Sequence, residues 1–149
     1  MQLRLKQLVL TSASLLLMMG VARAVCLEGN VSVAPGNVPV GREYQQSQYV
    51  LIATVKSESA VPEGRVPGDL EGTDYHVAPT VVFKGAPPSD LALFSENSSG
   101  RFPMEIGSQY LLFVLRAGSN YAVDNCGNSG LLASTAGLID LVRRLQTGR

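Results

Sequence analysis

Between Tyr49 and Val123 the chain carries five apolar runs of strand length, separated by Gly, Pro, Asn and Ser clusters, while a helical period is confined to the tail. That distribution predicts an all-β domain with one closing helix. Tyr49 to Val55 is rich in β-branched and aromatic residues and reads as the first strand. Tyr75 to Lys84 puts Tyr75, Val77, Val81 and Phe83 at period two, interrupted by Pro79. Proline cannot donate to a ladder, so this strand is expected at an edge or with a bulge. Leu91 to Phe94 makes a third strand, Tyr110 to Leu115 a fully buried fourth, and Ala117-Gly118-Ser119-Asn120 turns into a fifth that ends near Cys126. Leu27 to Tyr44 reads as an irregular lead-in and Ser59 to Gly72 as a long exposed loop. In the tail Leu138, Leu141, Val142 and Leu145 fall at i, i+3, i+4 and i+7, with Ser134 or Thr135 as cap and Gly148 as stop. Five strands and one helix in this length indicate a small closed or partly open barrel with the C-terminal helix packed on it.

The first 24 of the 149 residues have a separate logic. Arg4 and Lys6 precede a mostly apolar stretch from Leu8 to Val21, and Ala22-Arg23-Ala24 puts small residues at the −3 and −1 positions. This is a secretory signal pattern, with cleavage expected between Ala24 and Val25. A retained anchor is the competing reading, but the stretch is short for a bilayer and is interrupted by Thr11, Ser12 and Ser14. Arg23-Ala24-Val25 is a poor match to the triplet that precedes a lipidated cysteine. Removing residues 1–24 leaves 125 residues with nine basic and twelve acidic groups, a net charge of −3. The expected product is periplasmic or extracellular, without stable membrane insertion, and nothing in its charge calls for nucleic acid.

Export sets the reading of Cys26 and Cys126. An even pair in an oxidising compartment favours a disulfide over free thiols or a metal site. Two thiols do not complete a tetrahedral zinc site, and His76 would still leave one ligand missing. The bridge would tie the mature N-terminus to the end of the last strand, either as a plain staple or as a device that presents that terminus.

Catalytic chemistry is sparse. His76 is the sole histidine, set among apolar strand residues, so a hydrolase reading has little to stand on and no enzyme is expected. The acids Glu58, Glu63, Asp69, Glu71 and Asp74 lack the spacing of a calcium loop and read as a solvated face. Gly127-Asn128-Ser129-Gly130 lacks the lysine and the strand-to-helix setting of a phosphate loop. No cofactor and no intrinsic metal are implied.

Tyr75 to Gly85 ending in Val82-Phe83-Lys84-Gly85, then Gly107-Ser108-Gln109-Tyr110-Leu111-Leu112-Phe113, then Tyr121-Ala122-Val123-Asp124-Asn125-Cys126, resembles the netrin-like domain, which is also the inhibitory domain of tissue inhibitors of metalloproteinases. The resemblance spans roughly residues 26–147, and it implies a domain over 25–149 with an OB-type five-stranded Greek-key barrel and a helix packed against it. In the inhibitors a Cys-x-Cys at the mature N-terminus is bridged to the barrel, and the first cysteine's amine and carbonyl chelate the protease's zinc. By position Cys126 matches the last-strand cysteine and Cys26 the second of that pair. This chain departs from the pattern, with Ala24 and Glu28 flanking Cys26 where a Cys-x-Cys needs a second cysteine, and with Ser98-Ser99-Gly100 where a partner cysteine is expected. The resemblance implies a binding wedge of Val25, Cys26 and Leu27 beside Ser98, Ser99 and Gly100, with the Val25 amine and carbonyl facing a zinc metalloprotease. The alternative it leaves open is an envelope-associated interaction module without inhibitory activity.

Overall fold

The computed structural model describes residues 26–28, 31–33, 38–62, 70–98 and 100–148; the expected signal segment, Val25 and Ser99 lie outside them. A two-stranded ribbon of β1 (Cys26–Glu28) and β2 (Val31–Val33) leads into helix α1 (Val40–Gln46). The main sheet is built from β3 (Tyr49–Pro62), β4 (Leu70–Lys84), β5 (Leu91–Glu96), β6 (Gln109–Ala117) and β7 (Asn120–Val123). Its order is β5-β4-β3-β6-β7, antiparallel throughout, and a short β8 (Gly130–Leu131) pairs with β6 beside β7. The end strands β5 and β7 lie against each other, yet among the described residues no ladder joins them, so the sheet curls without closing. A short α2 (Leu132–Thr135), a 3-10 turn (Ala136–Leu138) and α3 (Ile139–Gln146) end the chain. Among the described residues no helix is long and apolar enough to cross a membrane.

Strand alternation divides the buried side chains between two faces. Leu51, Ala53 and Val55 of β3, Val77 of β4, Leu91 and Leu93 of β5 and Leu112 of β6 pack together inside the curl. Val50 and Ile52 alternate with them and pack outward with Phe83, Leu111, Phe113 and Val142, beneath α1 and α3. Full burial of a Leu, Val or Phe side chain contributes about 1.5–3 kcal/mol, so both faces matter to stability.

Three expectations are corrected. The segment from Ser59 to Gly72 is not a loop over its whole length, because β3 runs to Pro62 and β4 starts at Leu70, with residues 63–69 outside the description. The lead-in contains α1, a helix too short to show a period in sequence and too short to persist alone. Nor do Tyr75, Val77, Val81 and Phe83 share a face: Tyr75 and Val77 are inside the curl, Phe83 is under the helices and Val81 is exposed. The cause is a bulge. Ile52 faces Val81 but Ala53 faces Pro79, so Thr80 is an extra residue, and this one-residue slip puts Val81 and Phe83 out of phase with Tyr75 and Val77; the register shifts again at Phe83, since Leu51 faces Val82 and Val50 faces Lys84. Thr80 Oγ1 donates to the Ile52 carbonyl at 3.1 Å. Pro79 lies beyond Val77, where β5 stops pairing, so its missing N–H leaves no gap in that ladder.

The tail helix is also broken into pieces. Ser134 and Thr135 do not cap α3; their hydroxyls donate to the Leu131 carbonyl at 2.9 and 3.0 Å, and α3 begins after Leu138.

Candidate functional site: the disulfide-anchored end

Cys26 and Cys126 are joined in a disulfide that spans 100 positions, with Cα atoms 5.4 Å apart, inside the range a bridge accepts. Cys26 is completely buried. The bridge fixes the β1–β2 ribbon to the segment that follows β7. That segment is shaped by its own side chains: Asp124 Oδ1 accepts from the Cys126 N–H at 2.8 Å, and the Asp124 carbonyl accepts from the Gly127 N–H at 3.1 Å. Aspartate favours such turns because its carboxylate reaches the backbone two residues on.

The next residue locks the segment to α1. Asn128 donates to Glu43 Oε2 from its backbone N–H at 2.8 Å and from its side-chain Nδ2 at 2.6 Å, and Nδ2 also donates to the Val38 carbonyl at 2.8 Å. Ser129 Oγ accepts from the Phe113 N–H at 2.9 Å, serving β6 in the gap between its ladders with β7 and β8. Glu43 is only 5% exposed, and its second carboxylate oxygen, Oε1, is buried without a hydrogen-bond partner. A Cβ added at Gly127 would overlap that oxygen, so the backbone approaches the carboxylate as closely as glycine permits. Burial pushes the Glu43 carboxyl above its ordinary value; the Asn128 hydrogen bonds pull it back down, and repulsion from Asp124 adds to the rise.

α1 is held from the other side by the residues that carry the family resemblance. Lys84 Nζ donates to the Tyr44 and Gln45 carbonyls at 2.7 and 2.8 Å, a cation on the C-terminal end of the helix dipole. Tyr44 Oη donates to the Phe83 carbonyl at 3.0 Å. Gly85 has φ +78°, and a Cβ there would sit 2.6 Å from the Gln48 carbonyl oxygen, which requires glycine. In the second motif Gly107, at φ +85°, donates its N–H to the Val55 carbonyl at 2.8 Å, and Tyr110 Oη accepts from the Glu105 N–H at 2.9 Å. Each of these motif residues has a folding role of its own.

The remaining residues of the expected wedge are placed as follows. Leu27 lies in β1 opposite Ser32, next to the bridge. Ser98 and Gly100 belong to the turn after β5, whose hydrogen bonds are local: the Ser98 N–H donates to the Glu96 carbonyl at 2.9 Å and the Gly100 N–H to Ser98 Oγ at 3.1 Å. The register sets this turn at the β3–β4 tip, since Glu96 faces Gly72 and Gly72 faces Val61, whereas the bridge follows Val123, which faces Val114 opposite Tyr49. The two registers are about 40 Å of strand contour apart along β3 at ~3.3 Å per residue. Val25 and Ser99, the other members, lie outside the described residues.

Among the described residues, clefts open elsewhere. One of about 170 Å³ lies beside the Ser98 turn, with Glu96, Asn97 and Arg101 in its wall. Another, of about 300 Å³, occupies the seam between β5 and β7 and is bounded by Asp74, Phe94 and Tyr121. His76 Nδ1 lies 3.0 Å from an Asp90 carboxylate oxygen in an exposed pair of the kind that contributes little to stability. Glu58 and Asp74 are strand residues, not members of a loop, and Glu63 and Asp69 lie outside the described residues. Among the described residues no three His, Cys, Asp or Glu side chains come together to hold a metal.

No protein-family model matches the chain, and no curated protein matches it.

The Glu43–Asn128 contact was not legible in the sequence. Its partners are 85 positions apart, and neither belongs to a motif that marks a pair. The bridge was legible, because two cysteines behind a sequence that reads as an export signal leave one pairing.

Proposed function

We propose that the protein is an exported, non-enzymatic protein-binding module, an OB-like barrel of the netrin type whose mature N-terminal segment is held rigidly at the disulfide-anchored end. The observation that carries this reading is the Cys26–Cys126 bridge with Cys26 fully buried, which fixes a segment that would otherwise be a free chain end. A pre-ordered segment loses less conformational entropy when it binds, the property a recognition wedge needs. The strand order β5-β4-β3-β6-β7, with its ends adjacent, supports the barrel assignment. The finer form of this reading is inhibition of a zinc metalloprotease by the Val25 amine and carbonyl, which would complete the metal's open coordination position.

The test combines two measurements on the exported protein. Sequencing its N-terminus establishes whether it starts at Val25, and a panel of zinc proteases is then assayed with it at micromolar concentration. Inhibition that disappears when the terminal amine is acetylated supports the chelating form. Absence of inhibition across the panel rejects that form and leaves an interaction module with another protein partner, the reading favoured by the distance in register between the bridge and the Ser98 turn.

A further inference from the structure

The sheet curls without closing, and the seam it leaves between β5 and β7 holds a cleft with a mixed wall. Its volume of about 300 Å³ is at the small end of the roughly 300–1,000 Å³ range of small-molecule sites, room for one ring. One wall stands on the β4–β5 ladder, where Asp74 faces Phe94 directly. Opposed residues of an antiparallel pair share a face, with Cβ atoms about 5 Å apart, so the carboxylate and the ring stand side by side. Gly72, two residues before Asp74, makes room for that ring: a Cβ there would come within 2.6 Å of Phe94 Cε2. The half-buried Phe94 therefore leans over the glycine as a seated shelf.

The other wall is the β6–β7 hairpin. Ser119 Oγ donates to Asn120 Oδ1 at 3.4 Å, which leaves the two N–H donors of the Asn120 amide for a partner outside the hairpin. Tyr121 adjoins them. Its ring lies 5.2 Å from that of Tyr49 and its hydroxyl 3.0 Å from the Tyr49 hydroxyl, contacts that hold it in place.

These groups select among ligands. Among the described residues that bound the cleft, Asp74 is the one with a charge, so a phosphate or nucleotide is repelled. A wholly apolar ligand would strip water from Asp74 and Asn120 and replace none of their hydrogen bonds. An organic cation would suit Asp74 and the rings but would set its charge against the Asn120 N–H groups. A neutral sugar ring satisfies every group: its C–H face covers aromatic carbon, and its hydroxyls donate to the carboxylate and accept from the amide.

We propose that the seam cleft binds one neutral sugar ring, with Phe94 as its apolar shelf, Asp74 accepting from a hydroxyl and Asn120 donating to another. The ring arrives either free or as the end residue of a longer glycan, and the cleft meets the same atoms in both. The proposal takes nothing from the disulfide-anchored end or from a protein partner, so the protease panel does not bear on it.

The test titrates the ¹⁵N-labelled protein with neutral hexoses and N-acetylhexosamines, each as the free sugar and as the methyl glycoside, and with their oligosaccharides. At least one should move the Asp74, Phe94 and Asn120 amide resonances in a saturable way. Asp74→Ala should weaken that binding about tenfold or more and Asn120→Ala about threefold to tenfold, the effects of one charged and one neutral hydrogen bond. Phe94→Ala should abolish it. Should that variant unfold, Phe94→Leu, which keeps apolar bulk and loses the flat ring, gives the same reading. Saturation by a monosaccharide supports a site for the free ring, and cleft shifts from oligosaccharides alone support a site for a glycan end. No saturable shift at the cleft with any of these sugars overturns the proposal, as does binding that survives Asp74→Ala and Asn120→Ala undiminished. Shifts from tetramethylammonium and from no sugar would assign the cleft to a cation and overturn it too.

Discussion

The two faces of the curled sheet are closed by different means. Inside the curl, Leu51, Val55, Val77, Leu91, Leu93 and Leu112 are buried by the strands themselves, and the Tyr49 and Tyr121 hydroxyls lie 3.0 Å apart and satisfy each other. Outside, Val50, Phe83, Leu111 and Phe113 are covered by α1 and α3, both too short to persist alone, and α1 is tied down by Lys84, Tyr44 and the Glu43–Asn128 lock. The first face depends on apolar alternation. The second depends on a few polar contacts between segments far apart in sequence, and the disulfide lies on that side.

Removing the bridge should therefore have the largest effect and fall on the helix side. For a loop of 100 residues the chain-entropy model gives about 4.7 kcal/mol, and the observed loss in the Cys26→Ala, Cys126→Ala double variant should lie within ~2–5 kcal/mol. Urea unfolding measures the loss, and hydrogen exchange locates it. The weakening should concentrate at α1 and the Asp124–Ser129 segment; even weakening over both faces would break the comparison.

Leu112 and Phe113 are neighbours on β6, both fully buried, one on each face. Leu112→Ala should lose ~2–5 kcal/mol and Phe113→Ala ~3–5 kcal/mol. The sharper quantity is the loss per carbon removed. Helices can settle into a cavity more readily than a curled sheet can contract, so Leu112→Ala should lose more per carbon. Equal values would mean that α1 and α3 are as rigidly seated as the strands.

Gly127→Ala probes the lock directly. The added Cβ would overlap Glu43 Oε1, and overpacking of this kind costs about 1–3 kcal/mol. Because Oε1 belongs to a buried side chain with its other oxygen held by Asn128, relief requires breaking those hydrogen bonds. A neutral Gly127→Ala in thermal unfolding would show that the lock is loose.

The lock also sets the pH response. Glu43 is a carboxyl raised by burial. A carboxyl raised in the folded state binds its proton more tightly there, so stability is greatest below the ordinary carboxylate value of 4.5 and falls as pH rises through the raised one. Glu43→Gln should flatten this decline, measured by urea midpoints across the acid range.

The inner face was largely readable in advance. The β-branched and aromatic run Tyr49–Val55 and the continuous apolar run Tyr110–Leu115 placed β3 and β6, and the two cysteines gave the bridge. The outer face was readable only as a tail period, of which Val142 alone is fully buried. α1 was hidden because seven residues with glycine near the start show no period, and its stability comes from Lys84 and Asn128, which approach through the tertiary fold. The face switch in β4 was hidden for a related reason: Pro79 marked an edge or a bulge, but not which side chains would follow it to the other face.

That bulge provides the smallest expected effect and a direct check on where the two faces exchange. Thr80 is the extra residue between Val81, opposite Ile52, and Pro79, opposite Ala53, and its hydroxyl holds the Ile52 carbonyl that the ladder leaves over. Thr80→Val keeps the shape and removes one hydrogen bond, so it should lose ~0.5–1.5 kcal/mol in urea unfolding. The loss should be small because Thr80 is exposed and water can take the hydroxyl's place at the carbonyl. Phe83 should stay under the helices, since the chain still has one residue more than β3 between Pro79 and Val81 and the slip of one residue remains. If Thr80→Val instead moved Phe83, seen as a lost contact between its ring and Val142 by NMR, the hydroxyl and not the extra residue would be what sends the second half of β4 to the outer face.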